Sequence, residues 1–240
     1  MTDPFSIWVY LSATPLFWLA LTLVAWIAAD AIARACGRHP LVNPVLIAIA
    51  MVGGVLVATG TPYQTYFEGA QFVHFLLGPA TVAIAVPLVR HLTLVRANIV
   101  PMIVALLAGA VTSVVSVVAV AAAFGVPHEI LVSLAPKSVT AGIAMAITES
   151  MGGRPALTAV LVIATGVMGA VIVTPLMNAL KITDYAARGF AVGLASHGIG
   201  TARAFAVDEI AGTFAGIAMG LNGVATSLIL PLLLRWFQGC

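Results

Sequence analysis

Charged side chains are nearly missing from this chain. Ten Lys and Arg and eight Asp and Glu make up 8% of its 240 residues, against 62% hydrophobic residues and a mean hydropathy of +1.14. So little polar surface cannot cover a water-soluble globule, which leaves a lipid bilayer as the solvent. The cations are scattered and the net charge is only +2, so no nucleic acid is expected as a partner. Cysteine is scarce too: Cys36 stands in a short polar break and Cys240 is the last residue, which argues against a disulfide framework or a metal cluster. Neither lysine follows a glycine loop for nucleotide phosphates, and His128-Glu129 lacks the second histidine of a zinc-protease helix. No apolar segment holds paired carboxylates or a flanked serine nucleophile. The chain is therefore read as a non-enzyme without cofactor or metal. Its start, with Asp3 and Pro4 and no basic leader, reads as the beginning of a retained span. The lack of an Arg- and Ser-rich presequence points to a bacterial inner membrane.

What is abundant is apolar chain in long blocks. A helix needs about 20 residues to cross the hydrocarbon, and roughly seven or eight spans of that length fit here. The expected fold is all-α, a polytopic membrane protein forming one domain over residues 1–240. The blocks are 5–29, 43–59, 68–88, 99–124, 129–151, 155–180, 185–207 and 210–236. Asn43-Pro44 reads as an N-cap followed by proline at the first helical position. Gly78-Pro79 should break or kink the third block, and Ala135-Pro136-Lys137-Ser138 the fifth. Ser196-His197-Gly198-Ile199-Gly200 makes the seventh irregular. The fourth block carries no charge and reads as a scaffold helix without chemistry, while Arg235-Trp236 would anchor the last at an interface. Pro79 and Pro136 are 57 residues apart, as are Gly109 and Gly166, which hints at an internal repeat of broken plus scaffold helix. For the repeat to be inverted, one unit would have to contain a re-entrant segment. If every block crosses fully, Arg34, Arg38, Arg90, Arg96 and Arg154 face Lys181, Arg188 and Arg235 across the membrane, and the N-terminus lies outside.

Polar residues inside apolar blocks mark the candidate site. Lys137 is the one lysine within such a block, and a cation at mid-depth costs about 2.5–3.5 kcal/mol on insertion scales. A helix restarting at Pro136 would aim its free amides and positive dipole end at the place where Lys137, Ser138 and Thr140 lie, a site for a small anion. The competing reading is a lysine that snorkels or pairs with Glu129 or Glu149. Pro79 and Thr81 form an analogous uncharged start, or a proline kink with Thr81 bonded to its own backbone. His197, Thr201 and Arg203 form a second polar group: Arg203 could grip a carboxylate or pair with Asp208 or Glu209, and His197 could relay a proton or serve as a bonded linker. Asn222, with Thr226 one turn later, gives a polar spot in the last block; bonding between helices is the commoner role of such residues, and Asn222 is a minor site candidate.

These residues sit in NPVLIAIA from Asn43, YFEGAQFVHFLLGPATVAIAVPL from Tyr66, APKSVTAGIAMAI from Ala135, GGRPALTAV from Gly152, GLASHGIGTARA from Gly193 and GIAMGLNGVATSLILP from Gly216. In that order the motifs resemble the LrgB family of bacterial membrane proteins from Asn43 to Trp236. Where the family continues its lysine motif with Thr-Pro, this chain has Ala141-Gly142. The resemblance implies one of two functions: regulation of murein hydrolase export and autolysis beside a small holin-like membrane protein, or transport of small carboxylates such as glycolate, glycerate and pyruvate. Charges placed beside helix breaks favour the carrier, since a lesion of associating helices does not need them. The expectation is a secondary transporter, a homodimer, coupled to a proton or sodium ion. Lys137 and Arg203 would neutralise the carboxylate, and Ser138, Thr140, Thr81 and Thr201 would read its hydroxyl or keto group.

Overall fold

The computed structural model describes residues 14–39, 41–83 and 85–238, and among them every regular element is a helix. In chain order these are α1 (Pro15–Ala35), α2 (Pro44–Thr59), α3 (Tyr63–Phe75), α4 (Leu77–Ala83), α5 (Ala85–Arg90), α6 (Leu92–Ala97), α7 (Ile99–Ala123), α8 (His128–Leu134), α9 (Ala141–Ser150), α10 (Pro155–Ala179), α11 (Tyr185–Phe205) and α12 (Glu209–Gln238). Four stretches are long and apolar enough to cross a membrane: α1, α7, α10 and Glu209–Leu233 of α12. The protein is thus an all-α integral membrane protein. Residues 5–13 of the first expected span, and the side chains of Arg235 and Trp236, lie outside what the structure describes. The contacts divide the chain into two compact units, Met1–Ala83 and Ile84–Cys240.

In the first unit α1 packs against α2 and α3. The close approach of α3 is made by Gly69, where a Cβ would overlap the Pro15 carbonyl and lie 2.8 Å from Trp18 Cβ. Trp18 is fully buried and meets the Tyr66 ring edge-on at 6.1 Å. Asn43 caps α2 as its sequence predicts, accepting from the amides of Val45 at 2.9 Å and Leu46 at 3.3 Å, with Pro44 in the first turn. The third apolar block is divided into α3, α4 and α5. Its first break falls at Leu76 rather than at Gly78-Pro79, so Pro79 sits in the first turn of α4, where a missing amide costs no hydrogen bond.

The second unit is built on α7, α10 and α12. Contacts between α11 and α12 run through small residues: a Cβ on Gly189 would overlap the Ala211 carbonyl and one on Gly193 the Ala215 carbonyl, so the backbones touch. Helix α11 is not one rod. Ser196 (φ −130, ψ 15) and His197 (φ 41, ψ −133) are non-helical. A straight helix of this length would hold its ends about 30 Å apart. Instead Tyr185, Arg188, Gly189 and Val192 line one small cavity together with Arg203, Ala204 and Val207. Val192 and Ala204 also share a buried cluster, and a Cβ on Gly200 would lie 2.9 Å from Val192 Cγ2. The two halves therefore lie side by side, with Ser196 and His197 at the tip of a hairpin.

Helices α8 and α9 form a second hairpin. Val132 and Ala135 pack in one cluster with Ile147 and Met151, and Glu129 pairs with Arg154 at 3.5 Å across its open end. The tip, residues 135–140, is a pair of tight turns closed by Lys137 N–H to Leu134 O and Val139 N–H to Pro136 O, each 3.2 Å. The second half-helix begins at Ala141, with Thr140 as N-cap, not at Pro136 as the sequence suggests. Pro136 is used one step earlier, inside the turns, where it accepts from Val139.

Candidate functional site

The two hairpin tips meet near the middle of the long helices, and Asn222 ties them together. Its Nδ2 donates to Ser138 O at 3.2 Å in the α8–α9 tip and to Leu194 O at 3.0 Å in the first half of α11. Ser138 lies in the turns before α9 and Leu194 just before the non-helical Ser196 and His197, so the carboxamide supplies a donor to a backbone carbonyl beside each break. Thr226 donates to Asn222 Oδ1 at 3.2 Å and fixes which way the amide points. Asn222 is 1% exposed. Both amide hydrogens of Asn222 are thus directed to backbone carbonyls of other elements.

Beside this bond lies the lysine. Lys137 is half-buried, and its Nζ donates to Ser138 Oγ at 3.2 Å. Among the described residues no carboxylate pairs with it: Glu129 is engaged by Arg154, and Glu149 is exposed at the far end of α9. Ser113 of α7 donates to the same Ser138 Oγ at 2.9 Å. With two donors on its oxygen, the Ser138 hydroxyl has its own hydrogen left to give. The neighbourhood thus presents an ammonium whose acceptor is the Ser138 hydroxyl and an O–H polarised by two donors, with no carboxylate beside them among the described residues. Next along the chain, Thr140 makes no side-chain cap to α9, so the first-turn amides of Ala141, Gly142 and Ile143 receive nothing from it. A Cβ on Gly142 would meet nothing within 4 Å, so that turn borders open space. The arrangement suits a small anion.

At the other tip His197 is 5% exposed. Its Nε2 lies 2.9 Å from Val162 O of α10, and since a carbonyl can only accept, the ring donates there. Thr201 donates to His197 O at 2.8 Å. Two glycines of α10 make room for this tip: a Cβ on Gly166 would lie 2.7 Å from His197 Cε1, and one on Gly169 would overlap Ser196 Oγ. The Ser196 hydroxyl is buried with no hydrogen-bond partner among the described residues.

Of the predicted site residues, Lys137, Ser138, Thr140 and Pro136 share one tip, His197 and Thr201 the other, and Asn222 joins the two. Arg203 stands at the open end of the α11 hairpin, on the cavity it shares with Arg188, away from the tips. Pro79 and Thr81 belong to the first unit. Ser113 was missed, because α7 read as a helix without chemistry. A cavity of about 440 Å³ runs from Asn98 and Asp184 at one end of the second unit, past Met102 and Phe190, to Gly109 and Leu194 beside the tips.

A membrane protein whose helix breaks fall on the lysine and histidine motifs of its sequence fits one class. The chain belongs to the LrgB-like family, which it matches over residues 22–236. It is 33% identical over 220 residues to YwbG of Bacillus subtilis, covering 91% of this chain and 96% of that protein. It is 30% identical over 200 residues to the holin-like protein CidB of Staphylococcus epidermidis, covering 83% and 87%. The holin-like protein CidB of Staphylococcus aureus is equally similar, at 30% over 199 residues. No solved structure matches.

Proposed function

We propose that this protein is a secondary carrier of small monocarboxylates, of the glycolate, glycerate and pyruvate class, working as a homodimer in the bacterial inner membrane. The observation that carries this reading is Lys137: an ammonium beside the junction of two broken helices, level with the middle of α12, hydrogen-bonded to a serine and paired with no acid among the described residues. An unpaired cation there is costly unless something anionic visits it. In this reading Lys137 neutralises the carboxylate, Ser138 donates its remaining hydrogen to a carboxylate oxygen, and Thr140 and the first-turn amides of α9 read the neighbouring hydroxyl or keto group. Arg203 serves as a cation on the route in, and His197 and Thr201 hold the second tip in place. The two hairpins are re-entrant, each returning to the face it entered from, so neither counts as a full span and the number of spans falls below seven. The coupling ion is a proton or sodium.

The test is uptake of labelled glycolate, glycerate and pyruvate into liposomes holding the purified protein, under an imposed proton or sodium gradient. Saturable uptake lowered at least about tenfold by Lys137→Ala, equivalent to about 1.4 kcal/mol, with unchanged elution in detergent, is the expected result. Equal uptake by the variant would remove Lys137 from the site. The name of the staphylococcal relatives, holin-like protein, favours a second reading, a regulator of murein hydrolases acting with a small holin-like partner. Absence of uptake by folded protein alone, with an effect on autolysis only when a partner is co-expressed, would select it.

A further inference from the structure

The second unit contains the same design twice. Helices α7 and α10 are each 25 residues long and begin 56 residues apart. Each is followed by a short link and a hairpin. The two carbonyls held by Asn222, on Ser138 and Leu194, are also 56 residues apart. So are Ser113, which touches the tip of the hairpin after α7, and Gly169, which faces the tip of the hairpin after α10. One crossing helix plus a hairpin that returns to the same face is an odd number of crossings. The second copy, residues 155–207, therefore starts from the opposite face to the first, residues 99–151, and the two are inverted. The long helices agree: α7 packs its first half on the open end of the α11 hairpin through Met102 and Phe190 and its second half on α8 through Val118 and Val132. Helix α10 begins at the open end of the α8–α9 hairpin, through Arg154 and Glu129, and runs back toward the α11 hairpin, where Val173 packs on Val192 and Ala204.

Inverted copies would make the α7–α11 contact and the α10–α8 contact equivalent, but the two differ. The first holds the cavity of about 440 Å³ that reaches Leu194. The second is shut: Arg154 N–H donates to Ser133 Oγ at 2.8 Å, Thr158 Oγ1 donates to Ser133 O at 3.0 Å, Thr148 and Thr158 hydroxyls meet at 2.9 Å, and Arg154 pairs with Glu129. Ala191 lines the open cavity, whereas its counterpart 56 residues earlier, Ala135, is 1% exposed.

We infer that a second, latent cavity for the same small monocarboxylate lies between α10 and the α8–α9 hairpin, and that Glu129, Ser133, Thr148, Arg154 and Thr158 form the gate that closes it. The inference rests on the carrier reading. The open and shut contacts exchange roles, so that the hairpin tips face first the Asn98 end and then the Arg154 end of the unit. Opening the gate breaks four polar contacts at one end while the α7–α11 cavity closes at the other.

The experiment places Thr148→Cys and Thr158→Cys in a chain with Cys36 and Cys240 replaced by serine. Two sulfurs at the hydroxyl positions need to close by less than about 1 Å to reach disulfide distance. Oxidation is expected to abolish uptake and a reductant to restore it; uptake that persists at the reduced rate after complete cross-linking overturns the inference while leaving the carrier intact. A second arm needs no transport: water-soluble maleimide labelling of Ala135→Cys and Ala191→Cys, each in the reduced and the cross-linked chain. Labelling at both positions when reduced, and only at Ala191→Cys when cross-linked, is the expected pattern. No labelling of Ala135→Cys in the reduced protein, with or without glycolate, overturns the latent cavity. If wild-type protein shows no uptake, the carrier reading fails, and this arm still decides whether the gate opens.

Discussion

Helix α7 carries two serines one turn apart, and they behave differently. Ser116 donates to its own helix at Ser113 O, 3.2 Å away, as hydroxyls in apolar helices commonly do. Ser113 reaches 25 residues along the chain to Ser138. Nothing in the local sequence separates them, which is why the lysine tip was legible and its α7 partner was not. Lys137 could be read because a lone cation in apolar chain has few explanations; a serine among valines has many. Two outcomes follow for side chains. Ser113→Ala leaves the Ser138 oxygen with one donor instead of two and is expected to raise KM for uptake severalfold with little change in the folded fraction. Asn222→Ala strands two carbonyls in a membrane interior, each worth about 1–3 kcal/mol. It should lower the Tm measured by fluorescence-detected size exclusion in detergent, and Asn222→Asp should do so as well, because a carboxylate cannot donate.

Hydropathy reports how long an apolar segment is and says nothing about which way its second half runs. The 21 residues of α11 satisfy a length test for a crossing helix, yet Ser196 and His197 turn the segment back on itself. The irregularity was visible in the two glycines that follow, but the tip is accommodated by Gly166 and Gly169 of the preceding helix α10, whose sequence, already rich in small residues, does not say which of them face a neighbour. The displaced start of α9 has a similar cause, since Pro136 is compatible with both a first helical turn and a tight turn. Glycines here divide into those that hold elements together and those that do not. Gly169→Ala and Gly193→Ala put a methyl where Ser196 Oγ and the Ala215 carbonyl already lie, and each is expected to cost about 1–3 kcal/mol. Gly220→Ala, with nothing within 4 Å of the new atom, should stabilise α12 by about 0.5–1 kcal/mol. Thermal denaturation of the three variants side by side checks the division.

At the scale of the molecule, strict alternation of crossings set Arg90, Arg96 and Arg154 against Lys181 and Arg188. The structure regroups them. Arg90 pairs with Glu209 at 3.6 Å, and Asn98 and Asp184 border one cavity, so Arg90, Arg96, Lys181 and Arg188 gather at one end of the second unit and Arg154 at the other. By the positive-inside rule, the excess of cations predicts that the first end faces the cytoplasm. Single cysteines at Arg96 and Lys181 should react with an impermeant maleimide only in inverted vesicles, and one at Arg154 only in right-side-out vesicles; opposite sidedness for Arg96 and Lys181 would restore the alternating topology.

The Asn222 amide also offers a spectroscopic handle. Its two hydrogens rest on carbonyls of two different hairpins, and restricted rotation about an amide C–N bond keeps them distinct. The chain has only three other asparagines, Asn43, Asn98 and Asn178. In protein labelled with nitrogen-15 at asparagine alone, one residue would therefore give a pair of resonances, each reporting whether its own hairpin is docked.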